Sequence, residues 1–512
     1  MTGDPPKATR KDWLGLSILV IPILLVSMDM SVLYLALPFM TADLEPSSNQ
    51  TLWILDLYGF LLAGLLITMG SVGDRIGRRR LLMIGAVVFG AASLLAAFST
   101  SSEMLLLARA LLGIGGATIA PSTLSLIRNM FHDPGQRKEA IGLWTAGFAG
   151  GGALGPVIGG ALLEHFWWGS VFLINIPIMV VLLISAPLLV SEFKDPDPGR
   201  FDPLSVVLSI ASMLGIVYAI KHGAQDGVDA TTTATATAGI VLGLLFLRRQ
   251  RRGRDPLIDI TLFAERAFSA AVLVQFLVIF ALTGFSLFAS QYLQLIVGLG
   301  PLEAGLWLLI PAIAAGTGAV LAPSLSKIVS TGAIIAGGLA LIAVGATAMA
   351  FIQPDSGLPL LVVGMSLLAL GVGASSTLNS DIVLTAAAPE KAGAASALSE
   401  TGAELGGAVG IAILGTIGST VYRHRLEDAL PPNTPPDIAG PASETVGGGM
   451  TVADYLPPPL DSALREIAAA AFVDGLTLAA TWSALGMGAA AIVVYLLLRT
   501  RPTGVEVGPS QA

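Results

Sequence analysis

The chain alternates between long apolar runs and short polar breaks. Fourteen apolar segments stand out: 13–38, 51–73, 80–99, 103–128, 138–163, 168–190, 203–221, 231–247, 267–296, 302–325, 331–352, 358–385, 391–423 and 466–499. Most reach the about 20 residues that a helix needs to cross the hydrocarbon core of a bilayer. The breaks hold the Gly, Pro and charged residues that end such helices. The Ala/Gly-rich runs 138–163 and 391–423 are the least hydropathic. The longest break, 424–465, carries PPNTPP and YLPPP on either side of ETVGGGMTVAD, and reads as a surface loop with short helical pieces. The stretch DPLIDITLF before the ninth run reads as an amphipathic strip at the membrane surface. The pattern predicts an all-α polytopic membrane protein of fourteen transmembrane helices.

Charge fixes the expected orientation. Only 12% of residues are charged, against about a quarter in soluble domains. With an even number of crossings both termini share a side, and 22 of the 27 Lys and Arg residues fall on it. Four (Lys221, Arg423, Arg425, Arg465) fall on the other side, and Arg109 is inside a run. Basic loops stay in the cytoplasm, so both termini are expected there. The first run is too long for a signal-peptide core, and no small-x-small cleavage site follows it. An uncleaved first helix in a bacterial inner membrane is the expectation.

Several chemistries drop out. Cysteine is absent, which removes disulfides and thiolates. The four histidines (His132, His165, His222, His424) have no metal-ligand spacing, so no metal and no cofactor are expected. No lysine follows a glycine, so there is no Walker A loop and no ATP-driven step by this chain. An enzyme would need clustered nucleophiles, bases or metal ligands, and none is legible. Nothing points to nucleic acid.

Four motifs carry a positive reading. The break after the second run is Gly70-Ser-Val-Gly73-Asp74-Arg75-Ile-Gly77-Arg78-Arg79-Arg80. Its glycines suit a tight turn and close helix approach, and Asp74 can accept from arginine or cap a helix N-terminus. The first run holds Met28-Asp29-Met-Ser31-Val-Leu-Tyr34-Leu-Ala36-Leu37-Pro38, and the fourth Arg109-Ala-Leu-Leu-Gly113-Ile-Gly115-Gly116-Ala117. The fifth holds Gly151-Gly-Ala-Leu-Gly155-Pro156-Val-Ile-Gly159-Gly160, whose small residues at i and i+4 let helices pack closely.

Together these resemble the major facilitator superfamily. The first is similar to its loop signature, and the others to motifs of the fourteen-helix drug:H⁺ antiporters. Leu52-Trp53-Ile-Leu-Asp56-Leu-Tyr58 and the stretch 121–131 are most similar to the QacA, SmvA and LfrA group of multidrug exporters. One departure is the tenth run, where Pro311 to Ala319 has no acidic residue, which puts divalent-cation handling in doubt. The resemblance implies two six-helix bundles, 13–190 and 267–499, with two inserted helices in 203–247. It implies proton-driven export of lipophilic, mostly cationic drugs by a monomer. An exporter of a narrower physiological substrate, such as a lipid or siderophore, is the alternative. Gly70, Asp74, Arg75, Gly77, Arg78, Gly151, Gly155, Pro156, Gly159 and Gly160 are then expected to gate.

Charges inside apolar runs are the sharper signal, because each is costly in lipid and turns to a cavity or a partner. They are Asp29, Asp56, Arg109, Asp381, Glu400 and Glu404. Asp29, Asp56 and Arg109 fall at depths that allow one cluster, with Arg109 a counter-ion or a modulator of Asp29. These three are the proton-coupling candidates. Asp56 can instead sit near headgroups, Asp381 at the interface, and Glu404 as a packing partner of Glu400 one turn away. Asp29, Glu400, Glu404, Tyr58, Trp144, Phe148 and Tyr292 are the substrate-binding candidates, the aromatics offering faces to flat cations.

Overall fold

The computed structural model describes residues 7–194, 202–225, 227–252, 260–354, 357–386, 392–430 and 434–498. Helices account for all the regular structure among them. The first group is α1 (Arg10–Leu44), α2 (Ser48–Ile76), α3 (Arg78–Ala97), α4 (Ser102–Met130), α5 (Pro134–His165), the short α6 (Ser170–Leu173) and α7 (Asn175–Leu189). An intervening pair follows, α8 (Pro203–Gln225) and α9 (Ala230–Arg252). The second group is α10 (Arg266–Gln291), α11 (Pro301–Leu325), α12 (Thr331–Met349), α13 (Leu358–Ala386), α14 (Ala392–Ala429), the short α15 (Pro436–Glu444) and α16 (Val446–Asp454), and α17 (Leu460–Leu498).

Local chemistry starts these helices where the polar breaks fall. Thr9 with Asp12, and Ser47 with Gln50, form capping boxes at α1 and α2. Ser101 caps α4, and Asp133 caps α5 ahead of Pro134. Twelve helices are long and apolar enough to cross a membrane among the described residues. The bent α2 makes a thirteenth, and Pro203–Ala219 within α8 is a shorter apolar helix. Ile184, Leu188, Val320 and Ile492 are exposed on helix exteriors, as lipid-facing residues are.

Two expectations about helix ends change. Pro38 does not close α1, which runs on to Leu44. The break 424–465 holds the expected short helical pieces, but part of it is buried rather than surface. α14 enters it, α15 and α16 fold inside it, and Val446, Met450 and Ala453 are buried. Of the strip DPLIDITLF, residues 255–259 lie outside the described residues, and Ile260–Ala264 is a 3₁₀ turn.

The packing repeats itself. In the first group α1 packs on α5, α2 on α4, α3 on α4, and α3 on α7. In the second, α10 packs on α14, α11 on α13, α12 on α13, and α12 on α17. Replacing α1, α2, α3, α4, α5 and α7 by α10, α11, α12, α13, α14 and α17 turns one set of pairs into the other. The contacts between groups obey the same rule, since α5 packs on α11 and α2 on α14. The pair α8–α9 stands outside this repeat, with α8 lying against both α2 and α14.

The α8–α9 hairpin is closed at its base by Asp202. Its carboxylate takes Arg249 Nε and Nη2 at 2.7 and 3.0 Å and caps Ser205 N at 3.2 Å. The Arg249 guanidinium, helped by Ser205, holds the Asp202 carboxyl down to about 2. A carboxyl depressed on folding contributes stability above its unfolded value of about 4, and that contribution is lost as pH falls toward 2. Asp202→Asn should therefore lower stability by about 0.5–1 kcal/mol at pH 7, the range of partly exposed ion pairs. The deficit, followed by thermal unfolding in detergent, should shrink steadily from pH 5 to pH 3.

Candidate functional site

Arg109 is the largest fully buried side chain, 1% exposed. Three glycines let α4 carry it inward. A methyl at Gly113 would come within 2.7 Å of Tyr58 O on α2, and one at Gly116 within 3.2 Å of the Tyr58 hydroxyl. One at Gly115 would come within 2.9 Å of Phe89 N on α3. The fourth-run motif is thus a set of close approaches that seats α4 between its neighbours. There Arg109 Nη1 donates to Asp29 Oδ2 at 2.7 Å, and Nε to Ile54 O at 2.9 Å. The guanidinium also lies over the Tyr58 ring, 4.6 Å from its centroid, and the Tyr58 hydroxyl donates to Val26 O at 3.3 Å.

Beside this pair is a cavity of about 20 Å³ lined from both groups of helices. Tyr34, Asp56, Tyr58 and Arg109 come from the first, and Thr283, Glu404 and Gly407 from the second. Asp56 is 1% exposed. Glu404 Oε2 is buried and has no hydrogen-bond partner among the described residues. It lies against Gly59 of α2, where an added methyl would come within 3.9 Å. Asp29 is ion-paired with Arg109, and the carboxyls of Asp56 and Glu404 line the cavity beside that pair. The volume has room for a water.

Asp29 lies fifteen residues before Leu44, the end of α1, which is about 22 Å of helix. Asp56 and Arg109 are eight and seven residues into α2 and α4, about 10–12 Å.

Other expected site residues are placed as follows. Glu400, one turn from Glu404 toward the end where the termini lie, is exposed, and so is Asp381. Trp144 is half-buried and donates from Nε1 to Thr123 Oγ1 at 3.0 Å; Phe148 is half-buried one turn on. Tyr292 stands apart from the cavity. It is wholly buried at the far end of α10, and its hydroxyl donates to Gln353 O at 3.1 Å. Trp168 is buried and its Nε1 donates to Asp43 Oδ2 at 2.7 Å.

The gating motifs resolve into contacts. Gly77 has φ +112°, which a side chain would strain, and Gly73 packs against Arg78. Gly70 meets open space instead. Asp74 accepts from Arg78 at 2.5 Å. The N-terminus of α3 is capped by a different carboxylate, Glu192, which accepts from Arg79 N and Arg80 N at 2.8 and 3.1 Å. In α5, Gly151, Gly155 and Gly159 face α1 at Leu24, Met28 and Val32, while Pro156 and Gly160 face Gly305 and Pro301 of α11.

Two features escape a linear reading, and a third was legible but is absent from the expectations above. Glu192 lies in a polar break, and only the tertiary fold reveals its cap. Tyr34 is part of the first-run motif yet reads as core. The third, a glycine stripe in α14, was legible. Gly402, Gly406 and Gly410 have the spacing of Gly151, Gly155 and Gly159, and they face α10 at Val272, Phe276 and Phe280. Glu404, between Gly402 and Gly406 in sequence, points from the opposite face of α14 toward Gly59 of α2.

The Major Facilitator Superfamily profile matches residues 19–411. The chain belongs to that superfamily. It is 44% identical to the multidrug efflux pump LfrA of Mycolicibacterium smegmatis, over 96% of this chain and 98% of that protein. It is 36% identical to the methyl viologen resistance protein SmvA of Salmonella typhimurium, over 90% and 93%. Among solved structures, a bacterial homologue of the human lysosomal transporter Spinster, inward-facing and unoccupied, superposes with a TM-score of 0.67. It is 18% identical and covers 96% of this chain and 98% of its own, a likeness of fold. This transporter is therefore a multi-span membrane protein.

Removing Asp29 leaves a buried guanidinium without its anion, so Asp29→Asn should destabilise the transporter by about 3–5 kcal/mol. Asp29→Asn combined with Arg109→Gln should recover part of that loss. A double-mutant cycle on thermal unfolding measures it, and additive losses would mean that the pair does not couple.

Proposed function

We propose that the transporter is a proton-coupled exporter of lipophilic, mostly cationic compounds, such as quaternary ammonium ions, dyes and other antimicrobials. It works in a bacterial inner membrane with both termini in the cytoplasm. In this reading it has fourteen crossings, arranged as bundles 13–190 and 267–499 with inserted helices in 203–247. The carrying observation is the buried Asp29–Arg109 pair beside a cavity lined by Asp56 and Glu404, one from each group of helices. The names of the relatives, an efflux pump and a resistance protein, support the direction of transport.

In a medium of low dielectric, three carboxyls beside one guanidinium favour taking up a proton or an organic cation. The two compete for the same negative charge. A drug arriving from the cytoplasmic side displaces protons, and protons arriving from outside displace the drug. An inward proton gains about 2.3 kcal/mol per 100 mV of membrane potential. The contacts between groups support a state closed on the far side. Gly160 meets Pro301, Leu52 meets Gly415, and Ser290 Oγ donates to Tyr34 O at 2.6 Å. Glu400, exposed toward the termini, is suited to meet cations entering from the cytoplasm.

Ethidium export by proteoliposomes under an imposed pH gradient tests this. Export should stop when a protonophore is added and should not need ATP. Asp29→Asn, which imitates permanent protonation, should abolish it. Glu400→Gln should weaken export of a dication more than of a monocation. Full export by Asp29→Asn would remove the coupling role, and equal losses in Glu400→Gln would remove only charge selection.

A further inference from the structure

The seam between α5 and α11 closes backbone to backbone at its far end. A methyl at Gly160 would come within 2.5 Å of Pro301 O, and one at Gly305 within 2.2 Å of Pro156 O. Glu164 stands one turn beyond Gly160, at the end of α5. Its Oε2 accepts from Leu302 N of α11 at 3.3 Å. The carboxylate sits over Gly300, where an added methyl would come within 3.3–3.9 Å of its atoms.

This contact meets a need of α11. The first N–H groups of a helix have no partner inside it. Pro301 opens α11 and has no N–H, so Leu302 N is the first such donor in the helix. Gly300, the residue before it, has no side chain to serve as a cap. The cap comes instead from the other group of helices, as an anion at the positive end of the α11 dipole. The equivalent seam is built differently. There α2 has its own capping box from Ser47 and Gln50. The two glycine stripes align Glu164 with Gly415 of α14, which has no side chain and packs against Leu52. Glu164 therefore has no counterpart in α14. Its neighbour His165 turns back to Ala161 O at 3.1 Å. Glu303 also lies in the first turn of α11, but it belongs to the same group as the dipole it meets.

A contact made in one of two states favours that state by its own free energy. When α5 and α11 part at the far end, Leu302 N loses its acceptor. We propose that Glu164 is a positioning residue of the transport cycle, a latch that holds the far side closed by capping α11 from the other group. The proposal rests on the export cycle above, in which the far side closes and opens.

The chain has no cysteine, so a pair of spin labels can be introduced without competing thiols. Thr100→Cys and Phe351→Cys place them at exposed positions at the far ends of the first and second groups. The distance between labels is measured in lipid nanodiscs for the doubly labelled parent, Glu164→Ala, Glu164→Gln and Glu303→Gln. Thermal unfolding confirms that each is folded. Glu164→Ala should raise the ratio of long to short separations about two- to five-fold, the range for an anion at a helix N-terminus. Glu164→Gln should raise it less, because an amide oxygen still accepts from Leu302 N. Glu303→Gln should not raise it. An unchanged ratio in either Glu164 variant overturns the latch. So does a rise in Glu303→Gln as large as that in Glu164→Ala, because any charge at this helix end would then serve. Ethidium export by the unlabelled wild type keeps the two readings apart. Its absence would count against the function proposed above, whereas the distance ratio bears on the latch alone.

Discussion

The buried guanidinium of Arg109 is the constraint on which the first group of helices depends. A charge this deep is tolerable only with an anion and well-placed acceptors around it. Asp29 of α1 supplies the anion, the α2 carbonyl at Ile54 supplies an acceptor, and Tyr58 supplies a ring face. Three helices are thereby pinned at one point. The glycines of α4 follow from the same demand, because a bulkier residue at Gly113 would hold the guanidinium away from its partners. The tyrosines around the cavity limit the water that reaches the pair.

The second constraint is the repeat in the packing. α5 and α14 are equivalent members of the two groups, and each lays a glycine stripe along a parallel neighbour. Each also touches the opposite group on its adjacent face, α5 on α11 and α14 on α2. A helix that packs closely on one side and spans a seam on the other transmits displacement between groups. Glu404, on the face of α14 opposite the stripe, faces the α2 seam. A change in its charge acts where the groups meet.

Much of this was legible in the sequence, for reasons set by the bilayer. Backbone groups cannot stay unpaired in hydrocarbon, so each apolar run had little choice but to form a helix. All fourteen runs coincide with helices, though 168–190 is broken at Ile174 and 267–296 ends in a π turn at Tyr292–Ile296. The ends were less legible. Pro38 signals a break, yet α1 continues through it, and the polar residues Arg423 to Ala429 remain helical in α14. Asp29, Asp56 and Arg109 announced themselves because charge is conspicuous in an apolar run. Their union with Glu404 did not, since it depends on α14 meeting α2, which no local pattern encodes. Tyr292 shows the converse. An aromatic residue in an apolar run reads as a pocket wall, but its hydroxyl is tied to a distant loop.

The inserted pair breaks the symmetry of the rest. α8 lies along the α2–α14 seam, where Ile210 approaches Gly64, and Val217 packs with Phe60, Ala408 and Ala412. The equivalent α5–α11 seam has no inserted pair. In the rocking motion that the proposed export cycle would require, one flank would rearrange protein against protein and the other protein against lipid tails. The work of rocking is then unequal on the two sides. Under that proposal acyl-chain length and order would enter the balance between states through a single flank, so the bilayer itself would load the transport cycle unequally on its two flanks.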